Sequence, residues 1–361
     1  MEHKIDPDLF TDSCTALNEA VDRAVKLSVK WGKPDKGFIR ELKRNNAVFA
    51  AFKAHREQND LAGLLVDDDG NARSFDSFRR AAAPVIGEYN VNWLQTEYAT
   101  AVRVARTAVR FKQYEKDGDL YPNAEWLPSR AAEPRMSHRK YYHTVRRLTD
   151  PWWETHYPGC VWGCQCDMRN TDRPVTHIGD NPAAPGAEPT TVPPSEEAGV
   201  RSPGLSRNPA RSGELFSRDH PYFTSAYPGA EKAVAKKMQT IDVKQARKEV
   251  QEWAKREVVS KSFLNQEIGK EIEVTSTGIK EALNQPHKYI REKNEAIRNI
   301  KQIIHEAHRV LYRPDDKGNQ MVVGYHYLEF ELAGEKSYIV IRETKDGRLM
   351  FYSVVDKIKG R

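Results

Sequence analysis

Trp152-Trp153-Glu154-Thr155-His156-Tyr157-Pro158-Gly159-Cys160-Val161-Trp162-Gly163-Cys164-Gln165-Cys166 decides how this chain is read. It holds three of the four cysteines and three of the seven tryptophans, with a histidine four residues before the first thiol. A segment that only fills a core has no use for this mixture of thiols, imidazole and indoles. A cross-link, a metal site or a rigid assembly knot does. His156, Cys160, Cys164 and Cys166 supply four ligand types for tetrahedral zinc. Against that stands the spacing: Cys-x-Cys bends a tetrahedron more than Cys-x2-Cys does. A structural zinc and a set of packed, hydrogen-bonded thiols both remain open. A catalytic cysteine is disfavoured, because no separate His/Asn pair accompanies it.

Around this stretch the helical period is absent. Prolines at 122, 128, 134, 151, 158 and 174 punctuate residues 121–176, so side chains must anchor what backbone periodicity does not. Upstream, residues 1–113 read mainly as helix. Leu94, Tyr98, Val102, Ala105 and Val109 recur at steps of three and four, with Asn90 as the expected N-cap. Asp67-Asp68-Asp69-Gly70 lacks the spacing of a calcium loop and reads as a solvated turn. Downstream, seven prolines fall between Pro182 and Pro209 among Gly, Ala, Ser and Thr, a composition that is stiff and poor at burying a core. Residues 178–215 read as linker, and Asp219-His220-Pro221-Tyr222-Phe223 as a short lead into the last module.

That last module predicts helix over 241–260, a strand over 268–276, helix capped by Thr277, and a long helix over 294–310. Three strand-like segments, 322–332, 337–343 and 349–355, close the chain, with Lys345-Asp346-Gly347 as a hairpin signal. The expected architecture is therefore multidomain. It comprises a mainly α-helical domain over 1–176 with an irregular Cys/Trp-rich end, a Pro-rich linker over 177–235, and an α+β domain over 236–361 with helices and a short antiparallel sheet.

Charge divides along the same line. The chain carries 57 Lys+Arg against 51 Asp+Glu, a net +6. Residues 236–361 hold 25 and 19 of these, so the whole excess lies there and residues 1–235 balance. A basic module suits an anionic partner, nucleic acid being the commonest, although a soluble basic domain would look the same. There is no apolar run of transmembrane length and no secretory h-region after Met1, so a cytoplasmic setting is expected, where disulfides are disfavoured.

Two resemblances add to this reading. Trp152, His156, Pro158 and Trp162-Gly163-Cys164-Gln165-Cys166 resemble the terminal motif of the Mu F-like minor head proteins of tailed phages and prophages. Phe49-Ala50-Ala51-Phe52-Lys53, Leu65-Val66-Asp67, Tyr89-Asn90-Val91-Asn92-Trp93-Leu94, Thr96-Glu97-Tyr98, Tyr121-Pro122 and Pro134-Arg135 are further landmarks. The resemblance covers roughly the first half of the chain. It implies a role in head assembly near the portal, with portal and other head proteins as partners. The setting it implies is the host bacterial cytoplasm during assembly and the virion afterwards, with no membrane partner.

The last hundred residues resemble nuclease-like domains of the barnase, EndoU, colicin and RelE group. The segments that carry this are Val274 to Glu281, Asn284 to Lys288, Tyr325-His326-Tyr327, Arg342 to Leu349 and Tyr352-Ser353. The resemblance implies a metal-independent ribonuclease acting as toxin or effector, with an immunity protein as a further partner and no cofactor for catalysis. RNA cleavage without metal needs a base, an acid and cations on the phosphate. His287 is the acid–base candidate and Lys280 and Arg342 the phosphate holders. Thr344, Tyr352 and Ser353 are the neutral donors, and Lys288, Lys345 and Arg348 the nucleic-acid contacts. The bland reading of the same residues is a loop histidine and a wet sheet face, and the rival function is a purely structural head protein whose basic module binds nucleic acid without chemistry.

Overall fold

The computed structural model describes residues 4–28, 34–176, 201–316 and 318–358. Residues 177–200 of the expected linker lie outside them. The chain divides into two compact units, Met1–Met238 and Gln239–Arg361. The division falls within the helix Ala230–Glu257.

Unit 1 is built on four helices: α1 (Pro7–Ser28), α2 (Lys36–Gly63), α3 (Phe75–Gly87) and α4 (Leu94–Lys116). Asp35 caps α2 and Ser74 caps α3, each accepting from a backbone N–H three residues on. α1 packs on α2 and α4. Leu17, Ala20, Val21 and Ala24 of α1, Leu42, Phe49 and Phe52 of α2, and Ala101, Val104, Ala105, Ala108 and Phe111 of α4 are all buried. The small residues let these helices approach closely.

Asn90 is not a cap. α3 runs through a π-helical turn, Glu88–Trp93, straight into α4, so no free N-terminus exists there. The Asn90 amide instead donates to Glu57 at 2.5 Å.

Residues 121–176 are less irregular than their prolines suggest. β1 (Asn123–Leu127) pairs antiparallel with β2 (Val145–Arg147) on one side and β3 (Asp167–Thr171) on the other. These strands are too short for an alternating pattern to show. Arg110 of α4 ties the sheet down by donating to Asp167 and to the Met168 carbonyl.

The linker expectation fails for residues 201–235, which belong to the body of unit 1. Asn45 and Phe216 exchange two hydrogen bonds, side-chain Nδ2 to backbone O at 3.0 Å and backbone N to Oδ1 at 2.8 Å. The Phe216 ring stacks on Phe49 at 4.0 Å. The Asn208 amide donates to the Trp153 carbonyl at 2.9 Å, and Tyr157 Oη donates to the Leu205 carbonyl at 3.1 Å. Proline content misleads here because Leu205, Phe216 and Tyr222 are enough to anchor residues 201–229, whose helices Pro209–Ser212 and Pro221–Thr224 are each one turn long.

Unit 2 is a six-stranded sheet, ordered β4-β5-β9-β8-β7-β6, with helices packed on one face. The strands are β4 (Lys261–Asn265), β5 (Lys270–Val274), β6 (His308–Pro314), β7 (Val322–Leu332), β8 (Glu335–Thr344) and β9 (Leu349–Val355). Among the described strands only β5 and β9 pair in parallel. The helices are the second part of α5 (Ala230–Glu257), then α6 (Ser276–Asn284), α7 (Ile290–Ala296) and α8 (Ile300–Glu306).

Ile279, Leu283, Ile297, Ile300 and Ile304 cover Ile272, Val274, Leu328, Ile339, Ile341 and Phe351. α6 crosses β9 so closely that a Cβ on Gly278 would lie 2.0 Å from the Phe351 carbonyl oxygen. Thr275, not Thr277, caps α6, accepting from the Gly278 N–H at 3.1 Å. The expected helix over 294–310 ends at Glu306, where Ala307 turns extended and His308 opens β6.

His220 gives unit 1 a pH dependence. Its Nδ1 accepts the Tyr222 N–H at 3.1 Å, and Gly204, at φ +87°, leaves no room for a Cβ, which would stand 2.5 Å from His220 Cδ2. Burial pulls the imidazole down to about 4. The depressed folded value means its contribution is complete above the unfolded value near 6.5 and is lost as pH falls towards 4. In urea unfolding, the stability gap between wild type and His220→Gln should therefore narrow by about 3 kcal/mol between pH 7 and pH 4. A gap that does not change with pH contradicts this.

Candidate metal centre and the C-terminal sheet

The 3₁₀ turn Met136–Tyr141 places His138 in the interior, edge-on to Trp126 of β1 at 5.5 Å. A second turn, closed by the Cys164 N–H donating to the Val161 carbonyl, brings the Cys-x-Cys pair to the same point. Cys164 Sγ lies 3.6 Å and Cys166 Sγ 3.7 Å from His138 Nδ1, while Cys160 Sγ lies 3.9 Å from Nε2. One ligand atom from each of His138, Cys164 and Cys166 falls within 4.8 Å of the others, so this group could hold a metal ion.

Burial alone would depress the His138 imidazole, but the thiols of Cys160 and Cys164 outweigh it and raise it to about 10. Cys164 is pulled down to about 4, first by its bond with Cys166, and Cys166 is pushed up.

His156 is not part of it. Its ring stacks on Trp152 at 4.9 Å and 8°, and its Nδ1 pairs with Thr155 Oγ1 at 2.9 Å. His156 is merely the histidine nearest in sequence to the thiols. The histidine the fold supplies is 22 residues before Cys160, where no local spacing signals it.

In unit 2 the residues expected to form one catalytic set are not gathered. His287 follows α6, with Nε2 3.2 Å from Ser337 Oγ and Nδ1 accepting the Tyr289 N–H at 3.0 Å. Burial lowers its pKa. Ser337 shares a β8 face with Ile339 and Ile341, the helix-covered face. Arg342 lies on the opposite face, its guanidinium 4.1 Å from the centre of the Tyr352 ring. Tyr325 stands 5.9 Å from Tyr352 on that same side.

Thr344 closes the β8–β9 turn, donating to Asp346 at 2.5 Å, at the far end of β8 from Ser337, about 23 Å away by strand rise. Ser353 is buried opposite Val340 in the ladder. Lys280 is exposed on α6. Among the expected nucleic-acid contacts, Lys288 pairs with Glu335 at 2.5 Å and Arg348 with Asp346 at 2.7 Å, and Lys345 is exposed at the turn. The structure thus brings Arg342 to Tyr352 and leaves His287 on the other side of the sheet. On the helix-covered face His326 Nε2 lies 3.1 Å from Glu343, with the Tyr312 ring at 4.7 Å.

Residues 241–352 match the family described as "Large polyvalent protein-associated domain 3". The chain is 32% identical over 108 residues to the "Putative capsid assembly protein F" of Escherichia phage Mu, a stretch equal to 29% of this chain and 22% of that protein. It is 29% identical over 104 residues to the "Mu-like prophage FluMu F protein" of Haemophilus influenzae, with the same two shares. The chain therefore spans 22% of the length of these curated relatives. No solved structure matches. No helix among the described residues is long and apolar enough to cross a membrane.

The two bonds of the His287 ring make it a structural tie between the α6–α7 loop and β8. His287→Ala should lower unit 2 stability by about 1–3 kcal/mol in urea unfolding. An unchanged midpoint would contradict this role.

Proposed function

We propose that this chain is a head-morphogenesis protein of a phage or prophage, a Mu F-like minor head protein that acts at or near the portal. The observation that carries the reading is its similarity to two proteins, one named as a capsid assembly protein and one as a Mu-like prophage F protein. On this reading its partners are the portal and other head proteins. It works in the host bacterial cytoplasm during assembly and stays with the virion.

The His138, Cys164 and Cys166 group serves as a structural metal centre, zinc by its donor set, rather than as a catalytic one. Unit 2 acts by binding nucleic acid through its excess of positive charge, without chemistry. This is favoured over a metal-independent ribonuclease because His287 and Arg342 lie on opposite faces of the sheet. An immunity protein belongs to the ribonuclease reading alone.

Two measurements test this. Mass spectrometry of particles purified from a producing host should find peptides from both units, in fewer copies than the major capsid protein. Presence in the lysate with absence from particles overturns the head-protein reading. The purified full chain, with EDTA present, should leave RNA intact while binding nucleic acid with an affinity that falls steeply from about 50 to about 200 mM salt. RNA cleavage that is lost in His287→Ala would restore the ribonuclease.

A further inference from the structure

We propose that His138 Nδ1, Cys164 Sγ and Cys166 Sγ are the three protein ligands of a zinc ion, and that Cys160 accepts the Nε2–H of the same imidazole from outside the coordination sphere. This deepens the metal-centre part of the reading above by fixing the ligand set, and it stands whether or not the chain is found in particles.

Two sulfurs converge on His138 Nδ1, at 3.6 and 3.7 Å. A single proton on that nitrogen can be shared well with only one of them. A metal ion serves both. With Zn–S near 2.3 Å and Zn–N near 2.0 Å, a tetrahedron sets sulfur and nitrogen ligands about 3.5 Å apart. The separations in the chain are close to that value before any ion is present.

The other ring nitrogen supports the same assignment. A ligating histidine gives its second N–H to a nearby acceptor, which fixes the tautomer and aims the lone pair at the metal. Cys160 Sγ, fully buried, lies 3.9 Å from Nε2 and is placed for this. It faces the opposite edge of the ring from the Cys-x-Cys pair, and so lies outside the group whose ligand atoms fall within 4.8 Å.

The objection from Cys-x-Cys spacing loses force once the third ligand comes from elsewhere. Cys164 and Cys166 need supply only one edge of the tetrahedron, and Gly163, at φ +76°, makes the turn that presents them. The fourth position is left for water or an added ligand.

Such an ion would clip the turn Met136–Tyr141 to the loop that carries Cys160 to Cys166. The loop is also where the returning chain attaches. The Ser202 N–H donates to the Cys160 carbonyl at 2.9 Å, and Trp162 Nε1 donates to the Pro203 carbonyl at 3.2 Å.

The test is the metal content of the full chain, purified reduced and without chelator, read by elemental mass spectrometry. About one zinc per chain is expected. His138→Gln, Cys164→Ser and Cys166→Ser should each lose it, and His156→Gln should keep it. Cys160→Ala should keep it with an affinity weaker by about 10–100-fold in chelator competition. Because ligand variants can misfold, the wild-type chain is also reloaded with cobalt after chelation. A thiolate-to-cobalt absorption band that zinc then displaces supports the site. A wild-type chain without metal that also takes up no cobalt overturns the proposal, as does a Cys164–Cys166 disulfide in the reduced preparation. Zinc retained by Cys166→Ser, or lost from His156→Gln, overturns the ligand set.

Discussion

Lys53 and Glu97 meet at 2.6 Å in the interior of unit 1, almost wholly out of water. Neither charge would be tolerable there alone. Removing one partner of such a pair leaves an uncompensated buried charge, at a cost of about 3–5 kcal/mol. The second carboxylate oxygen accepts from Tyr222 Oη at 2.8 Å. One carboxylate therefore fastens α2, α4 and the segment that returns after the undescribed stretch. Its desolvation is offset only when all three are in place, which makes the arrangement selective as well as stable. The aromatic packing of Phe49 with Phe216, His220 and Tyr222 depends on that registration.

Residues 121–176 show what a chain does when periodic backbone bonding runs short. The small sheet supplies some of it, and buried polar side chains supply the rest. Glu125 is fully buried on the middle strand, and it stays below the usual carboxylate range despite burial because His143 at 2.9 Å and Arg169 at 2.7 Å hold its charge. The thiol and imidazole cluster works on the same principle on the far side of Trp126. Both are polar knots placed where an apolar core would otherwise have to form from very short elements.

How much of this was legible depends on where the information sits. β7 and β9 were read to the residue, because alternation over seven to eleven residues is a local signal. The hairpin at Lys345-Asp346-Gly347 was legible for the same reason, with Gly347 at φ +79°. β4 was missed because Lys261-Ser-Phe-Leu-Asn is an edge strand with little buried surface. Residues 201–224 were misread because proline content reports backbone stiffness and says nothing of what a few aromatics can bury. His138 could not be found by spacing at all, since its partners come from 22 to 28 residues away. The expected catalytic set failed on the two-residue period of a strand: Arg342 and the core residue Ile341 are neighbours in sequence and point to opposite sides.

The outer strand β6 bears on how copies of this chain behave when crowded. An unpaired sheet edge is a template on which another chain can add a strand, and proteins blunt it with charge, bulges and proline. β6 has a register break between Arg309 and Leu311, a half-exposed Arg313 and a terminal Pro314, which has no N–H to offer. The ladder that ends unit 2 is thus poorly suited to extension. Chains brought to high local concentration are thereby discouraged from growing into fibrils through this edge.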